Sequence, residues 1–323
     1  MSINRRDFLG LSAAAGASLG LTPRLLEALA DGRFMQGSLI QRAIPSTGEK
    51  IPVIGLGSSA TFSQVARAED VSALKDVLKT MTDRGARLFD TAPSYGASEE
   101  VAGRIVNELG VANKMFWATK VNVARGGPAD PAAARTQIDA SLARFKQPKI
   151  DLIQVHNMGD PATQLGVLRE YKKAGKVRYI GITTTNDSQY GALETVMRNE
   201  PLDFIGIDYA VDNRGVEEKI LPLAIERKIG VLAYAPFGRT SLFRRAAGVQ
   251  VPEFAKEFDA STWAQFFLKF IVSHPAITAV TPATSQAKNM IDNIGGGMGR
   301  LPTEAQRKQM IALVDGLPAA GGR

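Results

Sequence analysis

Phe89-Asp90-Thr91-Ala92-Pro93-Ser94-Tyr95-Gly96 opens as an apolar run, stops at a carboxylate and reaches a tyrosine across a Pro-containing turn. Ala86 to Phe89 is short and apolar enough for a buried strand, and Pro93 and Gly96 punctuate the residues after it. Asp90 therefore falls at the strand's C-terminal end and Tyr95 on the adjoining loop. Ser98 reads as a helix N-cap, with Glu99 and Glu100 in the first turn and Val101, Ile105 and Leu109 along one face. An acid and a phenol held over the carboxyl end of a strand suit proton transfer. An Asp that caps a loop and a Tyr packed on a rim fit this stretch equally, so the rest of the chain must separate the two.

Outward from this stretch, short apolar runs alternate with amphipathic ones. The runs are Val53 to Leu56, Ala86 to Phe89, Met115 to Thr119, Asp151 to Val155, Val177 to Ile182, Phe204 to Ile207, Gly230 to Ala233 and Ile277 to Val280. Helical stripes lie between them, among them Leu74, Leu78 and Met81; Ile138, Leu142 and Phe145; and Leu165, Leu168 and Tyr171. Asp130-Pro131 and Asp160-Pro161 each place an N-cap before proline at the first helical position. A hairpin precedes the series, from Leu39 to Ile44, turning at Pro45 to Gly48 and returning at Ile51 to Val53. Eight strand-helix repeats predict an α/β fold, a (β/α)8 TIM barrel with an N-terminal β-hairpin.

A doubly wound dinucleotide fold competes, because Gly55-Leu56-Gly57-Ser58-Ser59-Ala60 follows a strand and matches G-x-G-x-x-A. The context fails: Thr61 to Arg67 has no apolar stripe, so no helix is expected at Ala60, and no acid ends a second strand about 20 residues on. Tight turns account for Gly55 and Gly57.

The 323 residues carry a net charge of +7, but the Lys and Arg are scattered among the acids, with no run and no aromatic interleaving that would favour nucleic acid. With no Cys, disulfides, thiolate nucleophiles and zinc-thiolate sites are excluded, and His156 and His274 are too few for a histidine-rich metal site. At the N-terminus, Arg5-Arg6 precedes a mild apolar segment, Leu11 to Leu21, and Ala28-Leu29-Ala30 offers a cleavage site. This resembles a twin-arginine export signal over residues 1–30, ahead of one barrel domain over 31–323. It implies the export machinery as a partner and a periplasmic destination after cytoplasmic folding. Gly10, Gly16, Gly20, Pro23 and Arg24 leave too short an apolar run to span about 30 Å of hydrocarbon, so no stable membrane anchor is expected.

Catalytic groups of such a barrel come from the C-terminal ends of several strands. Asp90 ends the second strand, Lys120 the third and His156 the fourth, whereas His274 precedes the eighth and reads as structural. These residues carry a resemblance that covers nearly all of residues 39 to 316. The stretch from Phe89 to Gly96, the Thr119-Lys120 strand end and Gln154-Val155-His156-Asn157 resemble the Asp-Tyr-Lys-His motifs of the aldo-keto reductases. The resemblance implies a nicotinamide-dependent carbonyl reductase acting on a small carbonyl substrate, with Tyr95 as proton donor and Lys120, Asp90 and His156 in support. A free phenol near pKa 10 needs a neighbouring cation to exchange protons near neutrality, and Lys120 supplies one, aimed by Asp90. A neutral His156 can donate an N–H to the carbonyl oxygen.

The resemblance carries cofactor residues over less evenly. Tyr234 matches the ring that stacks on nicotinamide, Gly57 and Ser58 the turn beside it, and Gly238 to Leu242, with Ser241, the loop over the pyrophosphate. Thr284, Asp292 and Asn293 match the nucleotide end. Two positions depart: Gly206 replaces the glutamine that holds the carboxamide, and Thr183-Thr184 replaces a Ser-Asn pair unless Asn186 substitutes. The implied cofactor is NADP(H) or NAD(H). Preference for NADP(H) should be weak, since the lysine and arginine that clamp the 2′-phosphate in many members align with Ala283 and Asn289. A barrel that binds NAD(P)H as a redox-sensing or regulatory module, without turnover, fits the same motifs. A barrel hydrolase does not, because Glu99 and Glu100 read as helix-start acids and not as a convergent pair.

Overall fold

In the computed structural model, residues 38–124 and 126–319 are described, and the chain divides into two units, 1–38 and 39–323. The predicted export signal lies outside the described residues. The second unit begins with an antiparallel hairpin, β1 (Gln41–Ala43) and β2 (Lys50–Pro52). Its turn is made by Gly48 at φ 78°, whose N–H bonds Ile44 O at 2.8 Å.

Eight parallel strands then come in consecutive order: β3 (Leu56–Gly57), β4 (Leu88–Asp90), β5 (Phe116–Val121), β6 (Ile150–Val155), β7 (Val177–Thr184), β8 (Phe204–Asp208), β9 (Gly230–Tyr234) and β10 (Ala279–Val280). Bridges Ile54 to Val280 and Gly57 to Ala283 join the last strand to the first and close the barrel as expected. Both faces of most strands are buried, which is why they read as apolar runs and not as alternation. Closure is also what Gly55 and Gly57 serve. A Cβ at Gly57 would lie 2.6 Å from Thr281 O, and one at Gly55 2.8 Å from Leu88 O, so close strand approach, and not a turn, requires them.

The helices wrap the outside. α1 (Thr61–Val65) is a five-residue helix at the position where none was expected; it buries Phe62, so one aromatic anchor holds it without an apolar stripe. α2 (Ser72–Asp83) and α3 (Ser98–Glu108) come next. Ser98 is the first residue of α3 and not its cap: Ala97 precedes it, and Ser98 Oγ donates instead to Tyr95 O at 2.8 Å, tying the helix start to the tyrosine. Glu99 does sit in the first turn, yet it is buried, accepting from Thr119 Oγ1 at 2.6 Å and Arg144 Nε at 2.6 Å. α4 (Pro131–Phe145) and α5 (Pro161–Lys173) carry the expected Asp-Pro caps, with Asp130 accepting from Ala132 N and Asp160 from Thr163 N. The remaining helices include α6 (Tyr190–Asn199), α7 (Ile220–Glu226), α8 (Ser241–Arg245), α9 (Trp263–Ser273), α10 (Ala287–Gly295) and α11 (Glu304–Asp315).

Ile44 and Ile51 of the hairpin are fully buried against Leu88, Phe116, Leu152, Tyr179, Phe204 and Leu232 inside the barrel. The hairpin thus plugs the N-terminal end, and Glu49 beside it bonds Tyr179 and Arg178. His274 ends α9 at this same end, where its carbonyl accepts from Arg42 at 2.8 Å. With the bottom filled, the C-terminal mouth is where side chains can meet a ligand. Among the described residues no helix is long and apolar enough to cross a membrane.

Candidate active site

Side chains alternate along a strand, so residues two positions beyond the apolar core layer form the next layer up inside the barrel. From Leu88, Ala118, Leu152, Phe204 and Leu232, that step reaches Asp90, Lys120, Gln154, Gly206 and Tyr234. The layer is therefore polar, and two of its positions, Gly181 (two beyond Tyr179) and Gly206, bring no side chain.

Lys120 lies within β5, which runs two residues further than the apolar pattern indicates because Lys120 and Val121 still pair with Gln154 and Val155. Its Nζ donates to Asp90 Oδ2 at 2.7 Å and to Thr91 O at 2.8 Å. Both partners are buried, Asp90 at 4% and Lys120 at 3% exposure. Burial raises the Asp90 carboxyl above its ordinary range, with the Lys120 charge opposing. Tyr234 Oη donates to Asp90 Oδ1 at 3.2 Å and accepts from Gln154 Nε2 at 2.8 Å. Lys120 Nζ is 5.4 Å from the ring centre of Tyr95 and 5.2 Å from that of Tyr234.

Tyr95 and His156 approach from two loops, with Tyr95 Oη 3.4 Å from His156 Nε2. Asn122 Nδ2 holds the His156 carbonyl at 2.8 Å. Burial and then the Lys120 charge press His156 down to about 4, so the imidazole is neutral at physiological pH. The phenol behaves differently from the expectation that Lys120 lowers it: burial, then the Asp90 charge, raise Tyr95. The main physical reason is burial, which disfavours the phenolate, and the Asp90 charge beside Lys120 adds to it.

These four residues line one cleft of about 640 Å³. Of the predicted cofactor residues, Gly57, Thr183 and Tyr234 line it too. Ser58 is buried beside it with no partner for its Oγ. Thr184 has the opposite strand parity to Thr183 and bonds Gln189 Oε1 at 2.5 Å, away from the cleft. Asn186 is occupied as the cap of the turn Asp187–Gln189. Gly238 takes φ 53° in the loop before α8, which Ser241 opens. Thr284 Oγ1 accepts from Gln286 N at 3.1 Å, Asp292 Oδ1 is held by Thr262 at 2.9 Å and Gln265 at 2.8 Å, and Asn293 is buried; none of the three lines the cleft.

From sequence, no individual role falls to Gln154, which enters only within a motif, or to Arg239, which lies inside the loop Gly238 to Leu242. The strand parity of Gln154 could have revealed it. Arg239 lines the cleft and pairs with Asp208 at 2.8 Å, but only because Arg239 and Thr240 adopt φ of 49° and 77°, a loop path no local pattern announces.

A closed parallel barrel whose C-terminal mouth gathers an aspartate and a tyrosine from β4 and the loop after it, a lysine from β5 and a histidine from the end of β6 is the architecture of a barrel enzyme. The chain belongs to the aldo/keto reductase family, whose sequence model matches residues 53–306. It is similar to aldo-keto reductase YhdN of Bacillus subtilis, 32% identical over 208 residues that cover 61% of this chain and 62% of that protein. It is also similar to a probable aldo-keto reductase 1 of Glycine max, 26% identical over 76% of this chain and 81% of that one. Among solved structures, an aldo-keto reductase from Klebsiella pneumoniae in complex with NADPH matches with a TM-score of 0.70 at 21% identity, covering 87% of this chain and 96% of that one. Aldo-keto reductase AKR11C1 from Bacillus halodurans matches with a TM-score of 0.68 at 20% identity, covering 89% and 99%. At these identities the two structures speak for the fold.

Proposed function

We propose that this aldo-keto reductase reduces an aldehyde or ketone to the alcohol, using hydride from NADPH or NADH and a proton from Tyr95. The observation that carries the reading is the pair of potential donors, Tyr95 Oη and His156 Nε2, 3.4 Å apart beside the buried Lys120–Asp90 pair. Two donors at that separation can share one acceptor, as the oxygen of a carbonyl requires. The cleft suits a nicotinamide nucleotide: it runs from Asp90 and Tyr95 to Thr281 and Ala283 at the end of β10, and Thr281 Oγ1 is a buried polar atom without a partner. The NADPH complex of the Klebsiella pneumoniae relative supports the same choice. Bound there, the nicotinamide would supply the hydride.

The chain's own residues do the rest. His156, neutral through burial, offers an N–H to the carbonyl oxygen without placing a second cation beside Lys120. As charge gathers on that oxygen it becomes more basic than a phenolate, so the Tyr95 O–H bond breaks and the proton completes the alcohol. A phenol raised by burial stays protonated, and hence ready to donate, across the working range. Lys120 compensates the phenolate left behind, and Asp90 keeps the lysine aimed. Tyr95→Phe should therefore abolish hydride transfer to a panel of aldehydes and ketones while leaving nucleotide affinity within about threefold; wild-type stopped-flow rates in that variant would remove Tyr95 from the role.

Arg5-Arg6 ahead of the apolar segment Leu11 to Leu21 supports a further reading, that the protein is exported by the twin-arginine route and works in the periplasm.

A further inference from the structure

We propose that Tyr234 is a positioning residue for Asp90: its hydroxyl holds the carboxylate oxygen that Lys120 leaves free, in a seat that Gly206 keeps open. The inference rests on the reductase reading of the site and deepens it.

Four observations meet here. Asp90 has two oxygens and two donors, Lys120 Nζ on Oδ2 at 2.7 Å and Tyr234 Oη on Oδ1 at 3.2 Å, so the phenol fixes the rotation of the carboxylate about its own axis. Gln154 Nε2 donates to Tyr234 Oη at 2.8 Å, which leaves the phenol's single hydrogen free to point at Asp90. The seat is made by an absence: a Cβ at Gly206 would lie 2.3 Å from Tyr234 Cε2 and 2.6 Å from its Oη, so any larger residue evicts the ring. Finally, Ala235 takes φ 49°, a left-handed conformation that costs a non-glycine residue energy and turns the chain directly after Tyr234.

The groups facing Asp90 are Lys120 from β5, Tyr234 from β9 and Tyr95 from the loop after β4, with His156 beside Tyr95 and Lys120. Of these, Lys120 and Tyr234 hydrogen-bond the carboxylate directly. Both favour its charged form, and a hydrogen bond to a charged group corresponds to about one to two pH units. Without the Tyr234 hydroxyl the carboxylate is harder to ionise, so the acid limb of reduction moves to higher pH.

The test uses the full chain. Tyr234→Phe keeps the ring and removes the hydroxyl. We expect the acid limb of kcat for carbonyl reduction to rise by about one to two pH units. NADPH affinity by fluorescence titration should stay within about threefold, because the ring face is unchanged. Gly206→Ala should move the limb in the same direction in the native background and add no further shift in the Tyr234→Phe background. An unmoved limb in Tyr234→Phe overturns the proposal. So does an equal Gly206→Ala shift in both backgrounds, which would assign the effect to ring packing. The 13C titration of the Asp90 carboxyl, assigned by its loss in Asp90→Asn, reads the same quantity without turnover. If no variant and no wild-type protein reduces any carbonyl, the reductase reading fails. A raised Asp90 titration in Tyr234→Phe then still upholds the positioning role, and an unchanged one overturns it.

Discussion

Replacing Lys120 by Met is the sharpest perturbation of the site, because it strands a carboxylate that is 4% exposed. Breaking a buried pair by removing one partner costs about 3–5 kcal/mol, a large share of the roughly 5–15 kcal/mol that holds a domain together. Linkage bounds the same quantity independently. Asp90 can escape the cost by taking up a proton, and from an ordinary value of 3.8 holding it neutral costs at most about 4 kcal/mol at pH 7 and about 2 kcal/mol at pH 5. The sign is set by a folded-state value raised above the unfolded one: the variant binds more protons folded than unfolded, so its stability falls as pH rises above 3.8. Urea unfolding of wild type and Lys120→Met at both pH values should thus give a loss that is larger at pH 7, by at most about 3 kcal/mol. Adding Asp90→Asn should recover most of the loss at pH 7, since a neutral amide no longer needs the ammonium. A loss below about 1 kcal/mol, or one equal at the two pH values, would refute the argument that the pair is buried and mutually dependent.

The same geometry sets other outcomes. His156, taken from 6.5 down to about 4, binds fewer protons folded than unfolded between those values. Wild-type stability should therefore fall as pH drops through that window, by at most about 3 kcal/mol, and His156→Gln should remove that component from the unfolding curves. Ala283 and the exposed Asn289 bring no cation to the 2′-phosphate position implied by the family pattern, leaving exposed Lys288 nearby. Losing two charge-assisted bonds should hold NADPH preference over NADH below about 100-fold by fluorescence titration, and a larger preference that survives Lys288→Ala would overturn the alignment of this loop. Replacing Arg5 and Arg6 together by lysine should block appearance of the protein in the periplasm on cell fractionation, and undiminished periplasmic yield would exclude the twin-arginine route.

Much of the barrel was legible because a strand buried on both faces has to be apolar throughout. Asp90, Lys120 and His156 showed as polar residues where those runs stop, and strand ends on one rim are neighbours by topology alone. Asp130-Pro131 and Asp160-Pro161 were legible for an equally local reason, since an N-cap bonds the backbone two or three residues on. What tertiary structure decided are effects across the barrel. Glu99 reads as a helix-start acid, but Arg144 and Thr119 from other elements make it a buried anchor. Lys120 was expected to lower the Tyr95 phenol, yet burial within the closed barrel mouth, and then the Asp90 charge, raise it. Gly206 looked like a missing ligand and is the space that Tyr234 fills, a relation between two adjacent strands that pair Asp208 with Tyr234. Periodicity and capping are carried by residues a few positions apart, so the chain alone determines them; fields and cavities are sums over residues that meet only once the barrel has closed.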